Sequence, residues 1–265
     1  MDRTTRRPAL QQEIISKPIF DADSASFSAR SASRSCDFPH AFFAPLHYEP
    51  KYGYPLILWL HGPGDNERQL MRIMPLVSMR NYVAVAPRGF LAPLPSVGEG
   101  DCYQWQQTDQ GVQQAEQRIF TCLEATRQRF NIDAARIFLA GFDCGGTMAL
   151  RVALNNPERF AGVLSFCGRF PAGRNAFGNL IEARRLPVLL AGGRDSGEYP
   201  PESVCDDLRL FHTAGISITL RQYPCGQELS PQMFCDLDRW IIEQITAPSE
   251  SSSESDNSWS HSSDA

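Results

Sequence analysis

Ile137-Phe138-Leu139-Ala140-Gly141-Phe142-Asp143-Cys144-Gly145-Gly146 is the stretch that decides the reading of this chain. An apolar run of strand character ends in Gly141-x-Asp143-x-Gly145, and a helical pattern begins at once. The two glycines let strand and helix approach closely, which a sharp strand-to-helix turn requires. Asp143 stands at the tip. An aspartate tolerates the left-handed region better than most residues. Its carboxylate there is also expected to cap the following helix and meet its dipole, worth about 0.5–2 kcal/mol.

Outward from this turn, apolar segments alternate in type. The pattern predicts strands over 40–46, 55–60, 82–86, 136–140, 162–166, 187–192 and 216–223. The later ones are short, nearly continuous apolar runs, as in parallel strands buried on both faces. Helices are predicted over 67–77, 110–130, 144–155, 201–214 and 231–245. Over 110–130, Val112, Ala115, Ile119, Cys122, Leu123 and Phe130 recur at helical spacing with charges between them. Strand–helix alternation implies an α/β class protein, a mostly parallel central sheet with helices on both faces.

The ends read differently. Residues 1–35 are serine-rich from Ser24 onward and are expected to be a flexible segment, with a strand near 14–20. Residues 248–265 are acidic, serine-rich and low in complexity, and are expected to be disordered because they cannot bury enough apolar surface. One domain is expected over 36–247. The chain has 265 residues, 42% of them apolar, and a net charge of −5, which points to neither a nucleic acid nor an anionic membrane as partner. No apolar run reaches the roughly 18–20 residues of a membrane span. Arg3, Arg6 and Arg7 are followed by no apolar core, so no signal peptide is read. The eight cysteines (36, 102, 122, 144, 167, 205, 225 and 235) contain no CxxC pair and read as free thiols of a cytoplasmic protein. No metal or other cofactor is expected, since no Cys/His cluster has ligand spacing.

Five motifs, in unbroken order over roughly residues 40–245, resemble one family. Leu58-Trp59-Leu60-His61-Gly62-Pro63-Gly64-Asp65 is similar to a strand-to-loop segment that supplies half an oxyanion hole. The 137–146 stretch is similar to the nucleophile elbow G-x-S-x-G, with aspartate in place of serine. Asn156-Pro157-Glu158-Arg159-Phe160-Ala161-Gly162 with Phe166-Cys167-Gly168 follows. Leu189-Leu190-Ala191-Gly192-Gly193-Arg194-Asp195 resembles the strand that ends at a triad acid, and Tyr223-Pro224-Cys225-Gly226-Gln227-Glu228-Leu229 the loop that carries a triad histidine. The resemblance is to the phospholipase/carboxylesterase family of α/β-hydrolases, which includes acyl-protein thioesterases. It implies the α/β-hydrolase fold, a cleft for an acyl or other small apolar ligand, and a homodimer, common in that family, as a partner.

The resemblance maps nucleophile, acid and base onto Asp143, Asp195 and Gln227, and the oxyanion loop onto Gly62, Pro63 and Cys144. Asp143 has no hydroxyl to acylate. Gln227 has no basic nitrogen, which removes general-base catalysis of about 10²–10⁴-fold. Pro63 lacks the N–H that would be one oxyanion donor, a loss of about 10²–10³ in rate. The expectation is a homologue without serine-esterase activity. The alternative is an active hydrolase, using Asp143 as a nucleophile toward an sp³ carbon or working through an unrecognised base. His61 is expected to be structural, and the Cys144 side chain to point away from the cleft.

Overall fold

All seven residues of the second strand, Tyr54–Leu60, are buried, which places it at the middle of the molecule rather than at an edge. The computed structural model describes residues 36–92, 101–171 and 180–247. The expectations for 1–35, including the strand near 14–20, and for 248–265 lie outside the described residues.

In chain order the elements are β1 (His40–Phe43), β2 (Tyr54–Leu60), α1 (Gln69–Val77), β3 (Val83–Pro87), β4 (Phe90–Leu91), β5 (Tyr103–Gln104), α2 (Asp109–Arg129), β6 (Ile132–Phe142), α3 (Cys144–Asn155), β7 (Gly162–Phe166), α4 (Leu180–Ala183), β8 (Val188–Gly193), α5 (Pro201–Ala214), β9 (Ile218–Tyr223) and α6 (Pro231–Thr246). Among the described residues the main sheet has seven strands in the order β1-β3-β2-β6-β7-β8-β9. Its neighbours pair in parallel except β1, which runs antiparallel to β3.

Alternate residues of β2 enter opposite cores. Leu56, Leu58 and Leu60 pack with Ile119, Cys122, Met148 and Leu150. Ile57 and Trp59 pack with Leu70, Met74, Phe234 and Trp240. The period-2 geometry of a strand thus places α2 and α3 on one face and α1 and α6 on the other. Full burial of such side chains stabilises by about 1.5–3 kcal/mol each.

Most predicted elements are present, with shifted ends. β1 stops at Phe43, before Pro45, which has no N–H to donate to a ladder. α1 starts at Gln69, because the preceding residues are held in side-chain turns: Asn66 N–H donates to Asp65 Oδ1, and Arg68 N–H to Asn66 Oδ1. β6 begins at Ile132, where it pairs with Tyr54 ahead of the apolar run. The β4–β5 pair and α4 carry no periodic signal and were not expected from sequence. α2 forms where predicted. Thr108 caps it by accepting from Gly111 N–H at 3.1 Å, and Arg127 and Arg129 sit in its last turn.

Candidate active site

The register of the sheet brings the motif residues to one end. Leu60 pairs with Gly141, Phe142 with Phe166, and Gly193 with Tyr223. The loops carrying His61–Gly64, Asp143, Cys167, Ser196 and Gln227 therefore all leave the carboxyl ends of parallel strands, where open α/β sheets hold their ligands.

Asp143 connects β6 directly to α3 with φ 52° and ψ −119°. The positive φ was expected, but ψ lies outside the left-handed helical region. Such a backbone costs about 1–3 kcal/mol and persists only when its surroundings impose it. Here close packing imposes it. A Cβ on Gly141 would strike the backbone of Gly145, and one on Gly145 would strike the Leu60 carbonyl. The turn is held by Asp143 N–H donating to Phe166 O at 2.8 Å and by Thr147 N–H donating to Asp143 O at 2.9 Å.

The expected helix cap is not formed. The Asp143 carboxylate makes no capping hydrogen bond to α3. It accepts instead from Gln227 Nε2 at 2.5 Å. The same Nε2 donates to Cys167 O at 3.0 Å. A carboxylate and a carbonyl can only accept, so the amide's NH₂ group must face them. Its Oε1 then accepts from Ser196 Oγ–H at 2.6 Å, and Ser196 Oγ accepts from Tyr199 N–H at 2.9 Å.

The network reaches the residue beside the one read as the acid. Buried Ser196 holds Gln227, while the neighbouring Asp195 is exposed. Among the described residues, no hydrogen bond joins the Asp195 carboxylate to Gln227; its backbone N–H donates to Cys225 O at 3.0 Å. The side chain that touches Gln227 is thus one residue beyond the position the motif marks. Ser196 itself was missed, because a lone serine after Asp195 carries no signal until the β8 and β9 loops meet.

The loop read from the sequence as an oxyanion loop is equally constrained. Pro63 has no N–H, and Gly64 N–H is engaged with Tyr103 O at 2.9 Å. Cys144 N–H stands at the first position of α3, where no intrahelical acceptor exists. The Cys144 thiol is pushed up to about 11, first by burial and further by the Asp143 carboxylate, so it is not a thiolate at neutral pH. Burial likewise pushes Cys167 up to about 11.

His61 is fully buried in this loop. Its Nε2 accepts from Gly89 N–H at 2.9 Å, which requires Nδ1 to carry the proton and donate to Gly62 O at 2.8 Å. Burial holds it below the ordinary histidine range. Both ring nitrogens thus serve the backbone, and neither is available to Asp143.

A cavity of about 340 Å³ opens over Asp143, Cys144, Thr147, Cys167, Phe170 and Gln227. A larger hollow of about 440 Å³, lined by Tyr52, Tyr54, Arg80 and Ile242, lies at the opposite ends of the strands and contains none of the motif residues. The smaller cavity is the candidate site because the elbow opens into it. Tyr199 Oη–H and Phe170 N–H both donate to Asp207 Oδ2, at 2.6 and 2.7 Å, and fix its rim.

Residues 51–242 match the phospholipase/carboxylesterase family. The chain belongs to that family. A probable carboxylesterase of Oryza sativa subsp. japonica is 25% identical over 229 residues, which cover 78% of this chain and 84% of that protein. A putative esterase, NocK, of Nocardia uniformis subsp. tsuyamanensis is 33% identical over 167 residues, 59% of this chain but only 44% of that protein. Among solved structures, Arabidopsis thaliana SOBER1 superposes with a TM-score of 0.62 at 20% identity, over 73% of this chain and 100% of that one. Zea mays acyl-protein thioesterase 2 gives 0.60 at 18% identity, over 78% and 99%. These similarities establish the α/β-hydrolase fold of this phospholipase/carboxylesterase family member. No helix among its described residues is long and apolar enough to cross a membrane.

Proposed function

We propose that this family member is not a serine esterase and that it retains the cleft as a binding site for an acyl or other small apolar ligand. The observation that carries the reading is Gln227. A carboxamide stands in the base position, and its NH₂ and carbonyl groups are engaged by Asp143, Cys167 and Ser196. The Gln227 carboxamide has no basic nitrogen and cannot serve as the histidine of a serine esterase does, taking the proton from an attacking nucleophile. The 340 Å³ cavity above it, with Phe170 on its wall, keeps room for a small ligand. That relatives are named carboxylesterases and an acyl-protein thioesterase favours an acyl chain as the ligand class.

A second reading, Asp143 as a nucleophile forming an alkyl ester, draws on the retained elbow strain at φ 52°. The packing of Gly141 and Gly145 accounts for that strain without any reaction. His61, whose ring is committed to Gly62 and Gly89, supplies no base to release such an ester.

The deciding experiment is hydrolysis of a panel of activated acyl esters and thioesters, and of an alkyl halide and an epoxide, by the purified chain beside Asp143→Ala. Equal rates at the uncatalysed background are expected. Turnover by the native chain that disappears in Asp143→Ala would overturn the proposal in favour of the aspartate nucleophile.

A further inference from the structure

Away from the cleft, the fold assembles a group that local sequence spacing does not show. Cys36, just ahead of β1, His40, the first residue of β1, and Cys122, in the middle of α2, bring their ligand atoms within 4.8 Å of one another. Cys36 and His40 are half-buried, and Cys122 is fully buried. The group therefore has a closed floor and an open side, which gives an ion a way in.

The His40 ring is held by the backbone. His40 Nδ1 lies 3.0 Å from Phe38 O, a contact that only an Nδ1–H can make as a hydrogen bond. This tautomer leaves Nε2 with its lone pair. A ring N–H fixed by a backbone carbonyl is the usual support of a metal-ligating histidine. Phe42 packs edge-on against the ring, with centroids 4.9 Å apart. The Arg118 guanidinium, one helical turn before Cys122, lies over Phe38 and Phe90 and donates to the carbonyls of Arg88 and Gly89.

We propose that Cys36, His40 and Cys122 bind one thiophilic divalent cation, zinc in the first instance, with water in the fourth position. Two thiolates and one imidazole suit tetrahedral zinc, with bonds of about 2.3 Å to sulfur and about 2.0 Å to nitrogen. Those bonds put the ligand atoms about 3.5–3.8 Å apart, so the group needs to contract by at most about 1 Å. Binding forms two S–metal bonds and one N–metal bond, and the two S–H protons pass to solvent. No oxidant or reductant takes part. Because protons are released, affinity rises with pH. The bound ion would tie the segment ahead of β1 to α2. This site departs from the sequence expectation of no metal, because that expectation considered only ligands close together in the chain.

The test uses the full chain, reduced and stripped with a chelator, and titrated with cobalt(II) as the probe. The expected result is a thiolate-to-cobalt charge-transfer band with intense visible bands of tetrahedral cobalt. They saturate at one ion per chain and are discharged by zinc with no loss of secondary structure. Cys36→Ser and His40→Gln alter half-buried positions and should each weaken binding by at least about 10-fold. Replacing the exposed Cys205 and Cys235 by serine should leave it unchanged. A reduced chain that shows no charge-transfer band overturns the proposal. So does a band that survives Cys36→Ser unaltered, or one lost with Cys205 and Cys235.

Discussion

Gln227 Nε2 donates to Asp143 Oδ2 across 2.5 Å, joining two positions 84 residues apart. A histidine facing a serine would share one transferable proton. An amide facing a carboxylate makes a charge-assisted hydrogen bond that leaves no proton to transfer. The two side chains are therefore complementary, and with Ser196 and Cys167 they form a closed polar network.

That network should contribute to stability in a way a catalytic site seldom does. Gln227→Leu removes the donor and leaves a half-buried carboxylate short of one partner, and should destabilise by about 1–3 kcal/mol. Gln227→Glu should cost more near neutral pH, because two carboxylates then face each other and one pKa must rise. A carboxyl whose folded pKa is raised weakens the fold as pH rises through the window between its unfolded and folded values. The deficit of Gln227→Glu against the native chain should therefore shrink on acidification below about pH 5. Urea unfolding of both variants across pH measures this. A Gln227→Glu protein as stable as the native chain at neutral pH would show that the network holds nothing together.

Acid should weaken the native chain in two separable windows. His61 is held below its ordinary value of 6.5 by burial. The unfolded chain then binds the proton first, so stability falls as pH drops below 6.5 and levels off under the depressed folded value. Glu67 is held below 4.5 by its paired hydrogen bonds from Arg88, both 2.6 Å long. Its contribution is present above 4.5 and is lost as pH falls through its depressed folded value. His61→Gln should flatten the upper window, and Glu67→Gln the lower. Unfolding midpoints measured against pH check each, and an upper window that persists in His61→Gln would assign it to another group.

The elbow and the sheet were legible in the sequence because each depends on local pattern. The continuous apolar runs of β2, β7 and β8 marked strands buried on both faces, and Gly141-x-Asp143-x-Gly145 marked the turn between β6 and α3. What Asp143 does there was not legible. A carboxylate at a helix start reads as a cap, yet its hydrogen bond runs to Gln227, whose position depends on where β9 ends. Ser196 was hidden for the same reason: a one-residue offset in the loop after β8 decides which side chain reaches Gln227. The Cys36–His40–Cys122 group was hidden because Cys122 is far along the chain from the other two.

The strained turn should resist even the smallest substitution. A Cβ on Gly145 would meet the Leu60 carbonyl, which belongs to the central strand and cannot move aside cheaply. Gly145→Ala should therefore destabilise by at least about 2 kcal/mol, or prevent folding. Gly197→Ala is the control, since nothing lies near its added Cβ and its φ is not in the positive range. Thermal unfolding of the two variants separates a packing constraint from a general intolerance of alanine. Equal midpoints would count against the close approach of β2 and α3.

Repair of the site tests its mapping most directly. Asp143→Ser with Gln227→His restores a hydroxyl and a base, but the new histidine would meet the Ser196 hydroxyl rather than a carboxylate. Weak esterase activity is expected from that pair. Ser196→Asp should then raise it by about 10²-fold or more, by orienting the histidine and stabilising its protonated form. Pro63→Leu restores a backbone N–H at the loop and should add about another 10-fold or more, provided the new donor faces the oxyanion. Rates on an activated acyl ester, with circular dichroism to confirm folding, measure each step. The contact between Ser196 and Gln227 predicts that the gain comes from residue 196. If Asp195→Ala abolishes the activity of the repaired pair while Ser196→Asp adds nothing, then Asp195 is the acid, and the contact between Ser196 and Gln227 is incidental to the chemistry.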